Sequence, residues 1–149
     1  FGIRAMDSMR LEKSYRLIPR EMSIEYSAYE SGIDRFVRLD KENDFIGKEA
    51  LTDWQERGAV NGFVTMEVLD VVDADARGSE AIYKDGMVVG RGTSGGYGWR
   101  CGKSLALGIV RKDLTAVGTE LEIEILGEKY KSIVIDESPF DPNNQCLRS

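Results

Sequence analysis

Ile82-Tyr83-Lys84-Asp85-Gly86-Met87-Val88-Val89 runs straight into Gly90-Arg91-Gly92-Thr93-Ser94-Gly95-Gly96-Tyr97-Gly98-Trp99-Arg100-Cys101-Gly102-Lys103-Ser104. The first eight residues predict a hairpin. Two short apolar runs flank Asp-Gly, and both central positions of a tight hairpin turn need positive φ. The next fifteen imitate two phosphate loops. Gly90, Gly92 and Gly95 spell G-x-G-x-x-G, but that fingerprint needs a helix to follow it. Gly96-Tyr97-Gly98-Trp99 is too glycine-rich to start one. Gly102-Lys103-Ser104 ends like a P-loop, yet the first glycine of that motif would fall at position 97, which is Tyr. Neither match holds. The glycines are expected to let a strand leave the hairpin, bend sharply and re-enter a barrel at Leu105. The sheet is therefore antiparallel, not a parallel nucleotide-binding one.

The flanking sequence fits that sheet. Val64, Met66 and Val68 alternate with Thr65 and Glu67, and Leu105 to Val110 is an apolar run. Leu121, Ile123 and Ile125 alternate with Glu120, Glu122 and Glu124, which predicts one buried and one solvated face. Gly127-Glu128 then turns the chain into Tyr130 to Ile135. Upstream, Gly2 to Lys13 reads as a helix, with Ala5, Met6, Met9 and Lys13 at helical spacing. Phe36 to Leu39 reads as a short strand. Ile46 to Arg57 reads as a second helix, with Ile46, Ala50, Leu51 and Trp54 on one face and Gly58 at its C-terminus. After Pro139 the tail reads as irregular. The whole is α+β: an N-terminal helical segment followed by a small antiparallel β-barrel of about six strands.

Composition excludes several chemistries. The 149 residues suit one domain with a proper core, and the net charge of −6 carries no dense basic patch for nucleic acid. No apolar run is long enough for a membrane-spanning helix. There is no histidine, which removes Ser-His-Asp triads, Cys-His pairs and His-ligated metals within this chain. The two cysteines, Cys101 and Cys146, are expected to be free thiols of a reducing compartment. Opening on Phe1-Gly2, the chain is expected to be a piece of a longer protein.

The remaining signals are weak. Asp73 to Gly78 begins like a calcium loop, but the fifth position is Arg77 and the twelfth is Lys84, so it is expected to be an acidic solvated turn. Glu120, Glu122 and Glu124 would repel one another as a ligand set and are expected to be solvated. Trp54 reads as core. Trp99, in the glycine-rich stretch, reads as evenly divided between loop and ligand-stacking roles. Arg10 and Lys13, three apart on a helix, could present adjacent cations to an anion. On composition alone, ordinary charge pairing within the helix is the better account of them.

Four stretches together resemble one family. Ala5-Met6-Asp7-Ser8-Met9-Arg10-Leu11-Glu12 resembles its A-x-D-S-L-R-L-E helix. Tyr29-Glu30-Ser31-Gly32 with Asp44-Phe45-Ile46-Gly47-Lys48-Glu49-Ala50-Leu51 resembles its "EAG … DFIGREAL" pair. Thr93-Ser94-Gly95-Gly96-Tyr97 with Gly102-Lys103-Ser104-Leu105-Ala106-Leu107 resembles its "TSG … LGKSIALA" segment, and Ser138-Pro139-Phe140-Asp141-Pro142 resembles its tail. This is the aminomethyltransferase family: the T-protein of the glycine cleavage system and the folate domains of dimethylglycine and sarcosine dehydrogenases. Lys13 after the R-L-E and Gly-Tyr-Gly in the glycine-rich stretch resemble the dehydrogenase branch.

The resemblance implies that residues 1–58 are the last, helical part of a folate-binding core and residues 59–149 the C-terminal barrel domain. It implies tetrahydrofolate as acceptor of a one-carbon unit from a methylated amine, and FAD in an upstream domain if the parent is a flavin-linked dehydrogenase. The family's central Asp and pterin-gripping Tyr and Glu lie upstream of Phe1, so the chain alone is not expected to be active and has no catalytic residue to name. By the same resemblance Arg10 helps to bind folate, and Arg148 meets its glutamate. The implied partners are folate and the upstream part of the same protein; the implied compartment is cytoplasm or mitochondrial matrix. Two departures limit the carry-over. Met6 stands where the family often has Arg, and Gly98-Trp99-Arg100 replaces S-P-T. Two readings stay open beside this one: a non-catalytic barrel that docks a partner domain, and a folate-dependent demethylase of another methyl donor.

Overall fold

The structure, a computed structural model, describes residues 1–148. Two helices, α1 (Ile3–Glu12) and α2 (Lys48–Arg57), precede a closed barrel. Its strands are β1 (Asn61–Val68), β2 (Ala81–Lys84), β3 (Met87–Gly98), β4 (Lys103–Arg111), β5 (Glu120–Ile125) and β6 (Glu128–Ile135). They close in the order β1-β4-β3-β2-β5-β6, every pair antiparallel. Closure leaves no sheet edge exposed. The hairpin forms at Asp85-Gly86, whose φ angles of 52° and 77° are the positive pair that the turn demands.

The alternation of β1 and β4 sorts two hydrophobic clusters. Val64, Met66 and Val68 on β1 and Ala106 and Val110 on β4 fill the barrel interior, with Ile82, Ile123 and Val134. Phe63 on β1 and Leu105, Leu107 and Ile109 on β4 point outward, where Leu11 of α1 covers them. Both faces of β4 are thus buried, which is why its sequence is continuously apolar. Thr65 faces outward too and is buried, donating a 2.8 Å hydrogen bond to Ser14 Oγ. Burying Leu11 alone contributes about 1.5–3 kcal/mol, so the N-terminal segment is fastened to the outside of the barrel. Glu12 adds to the seam: its Oε1 accepts from the backbone N–H of Arg100 at 2.5 Å and of Cys101 at 3.2 Å.

Several local expectations need correction. The glycine-rich stretch is not a loop or corner: it is strand through Gly98, and only residues 99–102 turn. Its glycines serve close approach more than bending. A Cβ on Gly95 would lie 2.5 Å from the Ala76 carbonyl oxygen. Phe36–Leu39 is not a strand; Asp34–Phe36 is a single 3-10 turn with Phe36 exposed, since a closed barrel offers no edge to pair with. The Ile46 face of α2 is not core. Ile46 is fully exposed, Trp54 is half-buried beneath the Arg57 guanidinium at 4.0 Å, and no residue of the helix is buried. Segment 73–78 is only partly solvated: Ala76 joins the barrel core and Asp75 accepts from Ser104 Oγ at 2.6 Å. The tail ends in a short helix, α3 (Gln145–Arg148).

Candidate functional site

α1 begins without a side-chain cap and presents Arg4, Asp7 and Ser8 toward the barrel. Between them and β3 runs a groove of about 460 Å3, with Arg20, Arg77 and Trp99 also on its walls. It continues along the other side of α1 as a second hollow of about 470 Å3, walled by Ile3, Met6, Arg10 and Leu17 and sharing Arg4, Asp7 and Arg20. Tyr97 and Trp99 stand at the rim edge to face, ring centroids 5.0 Å apart, with Trp99 80% exposed. Four guanidiniums, two aromatic rings and the apolar side of α1 therefore line these two adjoining hollows.

Arg10 lies in this groove and is already heavily engaged. Its Nε and Nη2 donate to Asp7 Oδ1 at 2.8 and 2.6 Å, and its Nη1 donates to the Tyr15 carbonyl at 2.8 Å. The same Nη1 stands 3.5 Å from Glu21 Oε2, and the Arg10 side chain is 12% exposed. With two carboxylates beside it, the cation is compensated. Among the described residues, Asp7 Oδ2 accepts no hydrogen bond, and the Arg10 guanidinium keeps an N–H beyond those donated to Asp7 and Tyr15. Arg10 makes the intrahelical charge pair that composition favoured, with Asp7, and Lys13 does not stand beside it as a second cation. Lys13 turns to the tail, donating to the Asp141 carbonyl at 2.6 Å and to Asn144 Oδ1 at 2.8 Å. Arg148 is exposed at the end of α3, so the two named arginines rest on different supports.

The sequence reading missed Glu21. Its side chain is 0% exposed. Oε1 accepts from Thr93 Oγ1 and Ser94 Oγ, both at 2.6 Å, and Oε2 accepts from the Leu17 N–H at 2.8 Å. Two consecutive strand residues normally point to opposite faces. Here the β3–β4 register slips between Gly92 and Ser94, leaving Thr93 unpaired. That bulge turns both hydroxyls toward one oxygen, as bulges re-aim side chains. Ser94 Oγ also accepts from Arg20 Nη1 at 3.4 Å. The one sequence signal was the Thr93-Ser94 hydroxyl pair ahead of Gly95-Gly96; nothing local announced that a Glu so far upstream would meet it.

Other titratable groups stand apart. Burial, and after it the Glu12 carboxylate, pushes the Cys101 thiol up from its ordinary value. Among the described residues, Cys101 forms no disulfide. Among the described residues, no cluster of three or more His, Cys, Asp or Glu side chains is placed to hold a metal. Also among the described residues, no helix is long and apolar enough to cross a membrane.

Known proteins resemble this chain in sequence and in fold. The chain is 40% identical over 137 residues to mitochondrial dimethylglycine dehydrogenase of Homo sapiens, covering 92% of the chain and 16% of that protein. It is 34% identical over 136 residues to an aminomethyltransferase of Clostridium botulinum, covering 91% of the chain and 36% of that protein. It thus spans a minor part of the curated relatives it matches. The crystal structure of the glycine cleavage system aminomethyltransferase T from Bartonella henselae superposes with a TM-score of 0.86. That match is at 22% identity, covers 95% of this chain and 39% of that one, and supports the fold. The family model of the glycine cleavage T-protein C-terminal barrel domain matches residues 61–141, and the chain belongs to that family.

Proposed function

We propose that this chain is the C-terminal region of a tetrahydrofolate-dependent protein that moves a one-carbon unit from a methylated amine to folate. In this reading residues 1–58 complete a folate-binding core, residues 59–149 are the barrel packed against it, and the rest of the core lies upstream in the same protein. The observation that carries it is the groove beside α1, where guanidiniums, aromatic rings and an apolar wall converge. Tetrahydrofolate has a flat ring with an amide-like edge at one end and carboxylates at the other. Arg10 and Asp7 suit the first, through the spare N–H and the free oxygen. Arg4, Arg20 and Arg77 suit the second; among the described residues, Arg4 and Arg77 have no side-chain ion pair or hydrogen bond. Arg148 is assigned to the same anionic end from the tail.

Bound tetrahydrofolate supplies the nitrogen that accepts the one-carbon unit. What these residues contribute is orientation and a fixed electrostatic surrounding, not proton transfer. The similarity to a dimethylglycine dehydrogenase supports a flavin-linked parent with FAD held upstream, in the mitochondrial matrix; a cytoplasmic aminomethyltransferase is the other parent this chain fits. The test is a tetrahydrofolate titration of the full-length protein with Arg10→Ala and Arg148→Ala. Each loss should be about 1.5–3 kcal/mol, the worth of a hydrogen bond to a charged group. Unchanged affinity in both would remove them from the site.

A second reading rests on the exposed Ile3, Met6, Met9, Leu17 and Ile18, which would suit a barrel that only docks a partner domain. Deleting the whole region, residues 1–149, from the full-length protein without change in folate affinity or turnover would favour it.

A further inference from the structure

We propose that Glu21 is the positioning residue of this groove, holding Arg10 and Arg20 in the orientation that receives the ligand; the inference rests on the folate reading above. A buried carboxylate is costly to keep unless its lone pairs are filled, and an apolar side chain of similar volume would often serve stability as well or better. Glu21 is satisfied from several sides at once. Thr93 and Ser94 donate from β3, Leu17 N–H donates from the loop after α1, and the Arg10 guanidinium stands beside Oε2. Its own carbonyl accepts from Ser31 Oγ at 2.8 Å, which pins the backbone as well.

The consequence is directional. Arg10 touches Glu21 through Nη1, the nitrogen that also reaches Tyr15, while Asp7 holds Nε and Nη2. With carboxylates on two sides the guanidinium is held in one orientation. Arg20 is held at one remove: its Nη1 donates to Ser94 Oγ, whose proton goes to Glu21. Arg20 is also tied to the Arg77 carbonyl at 3.2 Å, on the opposite wall. One buried carboxylate thus orients two arginines that share the hollow beside α1, without touching the ligand itself.

The experiment compares binding of 5-formyltetrahydrofolate, a stable folate, by the full-length protein carrying Glu21→Gln, Arg10→Lys and both, at a temperature well below the lowest melting point. Ser94→Ala serves as a milder variant that folds if Glu21→Gln does not. Glu21→Gln should weaken binding about tenfold, and Ser94→Ala a few-fold. The double variant should bind more weakly than Arg10→Lys alone by clearly less than the roughly tenfold loss of Glu21→Gln by itself, because part of that loss runs through Arg10 and the rest through Arg20. A purely structural Glu21 would lower the melting point and leave the affinity of the folded protein alone, and that result overturns the proposal. Full additivity in the double variant overturns it as well. If Arg10→Ala also leaves affinity unchanged, the folate reading of the groove fails with it. If Arg10→Ala weakens binding while Glu21→Gln and Ser94→Ala do not, only the role of Glu21 is lost.

Discussion

Replacing Gly95 by Ala tests whether the glycines of β3 exist for close approach. The added Cβ would lie 2.5 Å from the Ala76 carbonyl oxygen and 2.6 Å from the Ala76 Cβ. Non-bonded heavy atoms settle at about 3.5–4.0 Å, so strand and segment must separate by about 1 Å. Neither yields easily. Ala76 is wholly buried in the barrel core, and its neighbour Asp75 is bonded to Ser104. β3 itself is paired to β4 on either side of the bulge. Overpacking of this kind costs about 1–3 kcal/mol. Because the clash is with backbone rather than with the tip of a flexible side chain, the upper half of that range is expected. Gly102→Ala is the control: nothing lies within 4 Å of its Cβ, and only its φ of +64° resists substitution. It should cost about 1 kcal/mol. Urea unfolding of both variants, read as midpoint shifts at constant slope, separates them. If Gly95→Ala is no less stable than Gly102→Ala, the close-approach account of this stretch is wrong.

Ile82→Ala, at a fully buried site inside the barrel, should lose about 2–5 kcal/mol in the same assay. The Cys101 thiol, raised by burial and by Glu12, should alkylate slowly at neutral pH and faster as pH climbs; Glu12→Gln should lower its titration midpoint. The Arg38 hydrogen bond holds the exposed Asp40 carboxyl down at about 2, so its small stabilising contribution is present at neutral pH and lost as pH falls through that value. Arg38→Gln should move the Asp40 midpoint, followed by NMR, up toward the ordinary carboxylate range. Loss of that exposed pair should leave the unfolding midpoint nearly unchanged.

The barrel was legible because its signals are local. Asp85-Gly86 states its own turn, and the alternation in Leu121–Ile125 states its own faces. The apolar run at Leu105–Val110 marked a strand buried on both sides, although what covers the second side could not be read from it. Phe36 and Trp54 misled, since an aromatic residue reports a wish for burial and not whether a surface is within reach. The groove was half legible. Arg10 was found through a motif, but its partners Glu21, Thr93 and Ser94 are brought together by a register slip. A slip of one residue leaves no compositional trace.

The outward-facing cluster on β1 and β4 also sets an order for synthesis. Leu11 leaves the ribosome long before Leu105, Leu107 and Ile109, the partners that shelter it. At about 5–20 residues per second, the face of α1 that carries Leu11 waits several seconds for these strands, and α2 buries no residue that could take their place. The first helix of this chain is thus among the last to find its place. A nascent chain stalled between β1 and β4 holds Leu11 without the β4 side chains that bury it.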